Sequence, residues 1–175
     1  ENFKIRTMKN GYLYLAILIL TACNSDLEKV HYNASKAKAA VLQSIDESYA
    51  LNAQESDETA ITFVWENPVI NYPAAITTDL QMDIQGNHFA KASILASTKT
   101  DSTYSISTAD LNAALIKLQT TNGLDFGPIP VDFRLASSLS VAAVPLYSNT
   151  VSSIITPFAG EREYPQIWVI GDYCG

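Results

Sequence analysis

The feature that most constrains the fold is strict two-residue alternation in the run Asp79-Leu80-Gln81-Met82-Asp83-Ile84, where polar and apolar residues alternate without exception. Successive side chains of a β-strand point to opposite faces of its sheet. The run therefore predicts a strand with one buried face and one solvated face. Gly86-Asn87 supplies turn residues directly after it.

Other segments rich in β-branched and aromatic residues predict further short strands. These cover residues 60–65, 92–96, 103–106, 131–135 and 148–156. Pro68 and Pro157 end the first and the last of them, since proline cannot donate to a central ladder. The predicted core comprises Phe63, Trp65, Leu80, Met82, Phe133 and Leu135.

One helix interrupts the strands. Residues 107–118 place Leu111, Leu115 and Leu118 on one face, Ser107 or Thr108 can cap the start, and Asn122-Gly123 closes the region. Six or seven short strands with one short helix predict an all-β fold, an antiparallel β-sandwich.

The N-terminal region reads as a secretory signal. A basic start at Met8-Lys9 precedes the apolar residues 12–20, a run too short to cross a bilayer. Leu20-Thr21-Ala22-Cys23 resembles the lipobox of bacterial lipoproteins, which implies cleavage between Ala22 and Cys23 and lipidation of the Cys23 sulfur. Two or more acyl chains hold a protein stably on a membrane. The alternative is a buried core helix that contains a cysteine.

The chain divides into four predicted parts. Residues 1–22 are an upstream extension and signal peptide, residues 23–38 a flexible tether, and residues 39–158 the folded domain. Residues 159–175 are expected to be the first strand of a following domain that is truncated. Residues 1–7 either extend the reading frame upstream or lengthen the basic region of the signal.

The charge of the chain argues against two classes of partner. Its formal net charge is −7 and it has no cluster of Lys or Arg, which argues against binding to nucleic acid or to anionic lipid. Asp26 and Glu28 follow Cys23 and are either a signal for outer-face display or part of an ordinary solvated linker. Because Cys23 is assigned to the lipid, Cys174 has no partner and no disulfide is expected.

The sequence offers little chemistry. His31 and His88 lack the spacing of metal ligands, and His88 is predicted to be solvated in a turn. Asp79 and Asp83 could form a carboxylate pair, but a solvated strand face explains them better. Arg134 points outward by parity and can pair with a carboxylate on the same face. We predict no catalytic residue, no metal ligand and no cofactor.

The aromatic residues show no sugar-binding surface. Trp65 lies on the apolar side of its strand, while Trp168 and Tyr173 would pack a following domain. The scattered tyrosines are Tyr49, Tyr72, Tyr104 and Tyr147. Exposed rings stack on sugar faces, and none can be assigned to glycan from this pattern.

An ordered set of segments carries a family resemblance. The segments are residues 60–65, 81–90, 104–112, 131–134, and 147–149 leading to 156–158. In this order and spacing they resemble the N-terminal domain of SusE-type outer-membrane lipoproteins from starch-utilisation-like systems. The resemblance implies an immunoglobulin-like (fibronectin-III-like) sandwich, followed by carbohydrate-binding β-domains. Residues 164–173 resemble the first strand of such a domain. Family members usually have a polar residue and a tryptophan around this point, and the chain departs from that pattern with Cys174 and without the tryptophan.

The resemblance implies a function as well. We expect a non-enzymatic lipoprotein of the outer membrane, facing the cell surface, in a system that captures and imports a starch-like polysaccharide. This domain would act as a spacer or a docking module, with polysaccharide bound by downstream domains. Expected partners are an outer-membrane transporter and other glycan-binding lipoproteins. The alternatives are a generic immunoglobulin-like adhesin or scaffold, and the accessory domain of a surface glycoside hydrolase.

Overall fold

The computed structural model describes residues 36–70, 73–140 and 143–159. In these ranges one helix, α1, covers Thr108–Asn122, and a single 3₁₀ turn covers Ala53–Glu55. The strands are β1 (Val41–Leu42), β2 (Ser48–Ala50), β3 (Thr59–Glu66), β4 (Thr77–Ile84), β5 (Ser93–Thr98), β6 (Thr103–Ser107), β7 (Ile129–Ser138), β8 (Leu146–Tyr147) and β9 (Val151–Thr156). The described chain is therefore mainly β with one helix, as predicted.

The strands form two sheets. The larger has the order β2-β9-β7-β4-β5, with β8 pairing along β7 beyond β9, and the smaller has the order β1-β3-β6. Strands pair antiparallel throughout except for β2, which runs parallel to β9. That parallel pair departs from the purely antiparallel sandwich that the sequence predicts.

The core lies between the two sheets. The ring of Phe63 from the smaller sheet and the ring of Phe133 from the larger have centroids 4.9 Å apart. All six residues of the predicted core are buried, so the alternation identified the inner faces correctly. Leu111, Leu115 and Leu118 add the buried face of α1 to the same core.

Helix α1 extends four residues further than its predicted end at residue 118. Its start is capped as expected, since the Ser107 hydroxyl accepts from the Asp110 N–H at 3.1 Å. Its end lies at Gly123, whose φ of 66° is a left-handed conformation that glycine adopts without a Cβ clash. The buried Gln119 then donates to the carbonyls of Asp125 and Gly127 at 3.0 and 2.9 Å, which fixes the loop to β7.

Strand β7 is longer than the predicted 131–135 and contains Pro130. Its neighbour β4 ends with Ile84 opposite Val131, so Pro130 lies just beyond the ladder on that side. The Pro130 carbonyl accepts from the Gln85 N–H at 3.0 Å. A missing N–H at this place removes no ladder bond, which is why the strand tolerates proline.

The three strands that the sequence pattern missed, β1, β2 and β8, have two or three residues each. The predicted strand 148–156 begins only at Val151, because Asn149 has another role. Its side-chain amide donates to the Leu42 carbonyl at 2.8 Å and accepts from the Leu42 N–H at 2.9 Å. Asn149 thus ties β1 of the smaller sheet to the β8–β9 turn of the larger.

Candidate functional site

The outer face of the larger sheet differs from the solvated face that the sequence predicts. Asp83, expected to face water, is 0 % exposed. One carboxylate oxygen accepts from the Ile84 N–H at 2.8 Å and the other from the Lys91 N–H at 3.1 Å. The Asn87 amide donates to both oxygens. Asp83 is buried because the loop after β4 folds back over it and provides these donors.

The same loop holds unusual backbone conformations. Gly86 has a φ of 81°, and two residues further along the chain His88 and Phe89 have φ values of 53° and 59°. Positive φ suits glycine, but it is uncommon for other residues and costs free energy for a bulky one. The hydrogen bonds of Asp83 hold the loop in this conformation. His88 is exposed in its turn, as predicted.

The loop conformation places the Phe89 ring over Arg134. The guanidinium carbon of Arg134 lies 4.0 Å from the Phe89 ring centroid and 3.8 Å from the Tyr147 ring centroid. Arg134 Nε donates to Gln81 Oε1 at 2.9 Å. We call these four residues, Gln81, Phe89, Arg134 and Tyr147, the Arg134 clamp.

The clamp corrects the predicted partner of Arg134. The side chain does face outward, but the hydrogen bond goes to the amide oxygen of Gln81 rather than to a carboxylate. Gln81 is the register partner of Arg134 on β4, so the two side chains share one face of the sheet. Two aromatic rings also lie against the guanidinium and stabilise its positive charge.

The surroundings shift the acidity of the guanidinium. Burial lowers the pKa of Arg134 from its ordinary value, and the electrostatic interactions with Tyr147 and Asp83, together with a side-chain hydrogen bond to Tyr147, oppose that shift. An arginine remains protonated at physiological pH in any case. The clamp therefore presents a permanent, oriented cation.

The sequence missed the clamp for a specific reason. In the sequence Tyr147 is one of several scattered tyrosines, because its strand β8 has only two residues and shows no alternation. Phe89 lies in a turn, and nothing in its neighbours along the chain indicates a contact with Arg134. The sequence gives one indication of the clamp: on two long strands, Gln81 and Arg134 both occupy positions that face outward.

Asp79 and Asp83, the two carboxylates considered as a pair, lie in different surroundings. Asp79 accepts a hydrogen bond from the Ser97 hydroxyl across the β4–β5 ladder. It also lines a cavity of about 330 Å³ whose other lining residues carry hydroxyl or apolar groups, namely Thr77, Ser138, Ser140, Ala143 and Pro145. Asp83 is enclosed by its own loop, so the two carboxylates do not share this cavity.

Several sequence predictions fall outside the described residues. They concern Ala22 and Cys23, His31, Tyr72, and Trp168, Tyr173 and Cys174. Within the ranges described, no group of His, Cys, Asp or Glu is placed to hold a metal ion. In the same ranges, no helix has the length and apolarity needed to cross a membrane.

Comparison with known proteins gives one match. A family model described as SusE outer membrane protein matches residues 25–136, from the predicted tether to near the end of β7. No curated protein and no solved structure matches the chain. The resemblance read from the segments at 60–65, 81–90, 104–112 and 131–134 is confirmed by this match.

Proposed function

The chain belongs to the SusE outer membrane protein family, and on this premise we propose that it is a non-enzymatic, lipid-anchored component of a polysaccharide capture and uptake system. The family is one of surface components of starch-utilisation systems located at the outer membrane. In our proposal the domain of residues 39–158 is an immunoglobulin-like spacer or docking module. Polysaccharide is bound by domains that follow it, and the partners are a transporter and other glycan-binding lipoproteins.

The use of the aromatic residues carries the proposed scaffold role. Trp65 is 4 % exposed and belongs to the core. Phe89 and Tyr147 each turn one ring face to the Arg134 guanidinium. A sugar-binding surface needs open ring faces beside hydrogen-bonding groups. Here the rings of Phe89 and Tyr147, which lie beside polar groups, already pack on Arg134 of the same domain. This favours a module that positions other domains.

The carboxylates support the non-enzymatic part of the proposal. Hydrolysis of a glycosidic bond ordinarily needs two carboxyl groups that flank the substrate. Asp83 accepts hydrogen bonds at both oxygens from its own loop, and the cavity beside Asp79 contains no second acid among its lining residues. Neither residue is arranged to act on a bound glycan.

Retention on insoluble starch tests the scaffold role. We expect the chain to remain in the supernatant, and a longer form of the same gene product, with further domains, to sediment with the starch. A Tyr147→Ala variant is the matched control, because it removes the most exposed ring of the clamp. Retention of the wild-type chain and its loss in this variant would contradict the spacer assignment.

The anchor is proposed from the sequence of residues 20–23. We assign Cys23 as the lipidated residue and the Ala22–Cys23 bond as the cleavage site. Cys23→Ala should move the protein from the membrane fraction to the soluble fraction of cells that express it. Cys174→Ala is the control and should leave fractionation unchanged. Membrane retention of the Cys23 variant would disprove the assignment.

A further inference from the structure

We infer that the Arg134 clamp is the docking surface of this domain, and that its partner is a protein that presents an Asp or Glu carboxylate to the Arg134 guanidinium. The inference rests on the docking role proposed above and names the surface and the chemistry of that role. Four sets of contacts on the larger sheet support it.

The first is the strained loop. A non-glycine residue in the left-handed region is strained, and here two such residues, His88 and Phe89, follow one another. Asp83 is buried to hold them, with donors from Ile84, Asn87 and Lys91. The result of this arrangement is the position of one ring, that of Phe89, on Arg134. Strain that is maintained in this way is typical of binding surfaces.

The second is the unused hydrogen-bonding capacity of Arg134. A guanidinium has five N–H donors, and the Nε donor is bound to Gln81. Among the described residues, Tyr147 is the other side chain placed to hydrogen-bond with the guanidinium, so most of the five donors stay available to a ligand. The centroids of the Phe89 and Tyr147 rings lie 4.0 and 3.8 Å from its central carbon, so a ligand would reach the group through the remaining N–H donors at its edge. A carboxylate matches that planar fork with two parallel hydrogen bonds.

The third is the state of the neighbouring charges. The carboxylates of Asp83 and Asp132 are near Arg134, but both are engaged. Asp132 accepts from the Ser152 hydroxyl at 2.6 Å and from the Gly86 N–H at 3.3 Å. The loop over Asp83 adds the exposed residues His88 and Lys91. Their acceptor positions are thus occupied within the domain, while the N–H donors of Arg134 and the exposed Lys91 can meet a carboxylate of the partner.

The fourth is the apolar surface around the clamp. Ile94 is 58 % exposed and pairs with Gln81, while Tyr147 is 46 % exposed. An ordered arginine and aromatic rings beside exposed apolar side chains are the composition of protein interface centres. Because the clamp is already ordered, binding restricts few side chains, which lowers its entropic cost. These features favour a protein over a polysaccharide as the occupant.

The test uses the whole chain, labelled for NMR, and follows the Arg134 Nε–H signal during titration with small probes. N-acetylglutamate methylamide supplies the carboxylate, and N-acetylglutamine methylamide is its uncharged isostere. Methyl glucuronide carries the same carboxylate on a sugar. We expect saturable shifts with the glutamate probe in the millimolar range and none with the glutamine probe.

Variants locate the effect on the fork. Arg134→Lys keeps the charge and loses the planar fork, so the glutamate probe should bind it about tenfold more weakly. Lys117→Gln removes an exposed cation from α1 and should bind like the wild type. The glutamine probe compares ligands on the unaltered protein, so the result does not depend on a variant that folds poorly.

Three outcomes overturn the inference: equal shifts with both amino-acid probes, unchanged binding in Arg134→Lys, or a clear preference for the glucuronide. The last would assign the surface to an acidic polysaccharide instead of a protein. None of them bears on the anchor or on starch retention, which the fractionation and sedimentation experiments test separately.

Discussion

The outer faces of the two sheets show how differently two regions of one sandwich can use the same strand pattern. On β3 of the smaller sheet, Thr62 and Val64 simply face solvent, with the Thr62 hydroxyl bonded to that of Ser105 at 2.8 Å. On the larger sheet, the loop after β4 folds over the equivalent face and buries Asp83, and the rings of Phe89 and Tyr147 pack on Arg134. The comparison teaches that a two-residue period reports the inner face of a strand, while whatever packs on the outer face depends on connections elsewhere.

The largest effect should come from the core that both sheets share. Phe133→Ala removes a buried ring that touches Phe63 and should lower the free energy of unfolding by about 3–5 kcal/mol. Val64→Ala on the outer face of β3 is the matched control and should cost about 0.5 kcal/mol or less. Urea unfolding measures both. Similar midpoints for the two variants would mean that the inner and outer faces are wrongly assigned.

Asp83 provides the sharpest contrast between the outer faces. Asp83→Ala leaves the Ile84 and Lys91 N–H groups without their acceptor and should cost about 3 kcal/mol. Asp83→Asn keeps one acceptor oxygen and should cost less. Thr62→Ala, on the smaller sheet, should cost about 1 kcal/mol at most. If Thr62→Ala were as costly as Asp83→Ala, the distinction between a covered and an open face would fail.

Asn149 tests the connection between the sheets. Asn149→Ala removes two hydrogen bonds to the Leu42 backbone and should cost about 1–2 kcal/mol. Asn149→Asp keeps the acceptor for the Leu42 N–H, so its free energy of unfolding should lie between those of Asn149→Ala and the wild type. Amide exchange provides the local measurement: the Leu42 N–H should exchange faster in the alanine variant. Unchanged exchange would show that β1 is held without Asn149.

The smallest expected change in stability comes from glycine substitutions, which should have opposite signs in the loop over the larger sheet and in β3 of the smaller sheet. His88→Gly relieves a left-handed conformation at an exposed position and should be neutral or stabilise by about 0.5 kcal/mol. Thr62→Gly places glycine in an extended strand and should destabilise by about 1 kcal/mol. Thermal unfolding of the two variants gives the comparison. A loss of stability in His88→Gly would show that its side chain, and not the backbone of the loop, matters.

Much of the scaffold could be predicted from local patterns. Leu80 and Met82 were placed in the core by alternation, and α1 was found from the spacing of its leucines and the capping role of Ser107. Each of these features is encoded within a few neighbouring residues. The clamp was not predicted, because Gln81 and Arg134 are 53 residues apart and the turn that carries Phe89 has no periodic pattern.

By itself, the sequence determined the inner faces of the strands, the position of the helix, the family and the assignment of Cys23 as the proposed lipidated residue. These depend on periodicity and on short motifs, which are local properties of the chain. Only the tertiary structure decided that Asp83 is buried and that the rings of Phe89 and Tyr147 pack on Arg134. The period of a strand states which side chains share a face, and the free energy of that face depends on the loops that fold onto it.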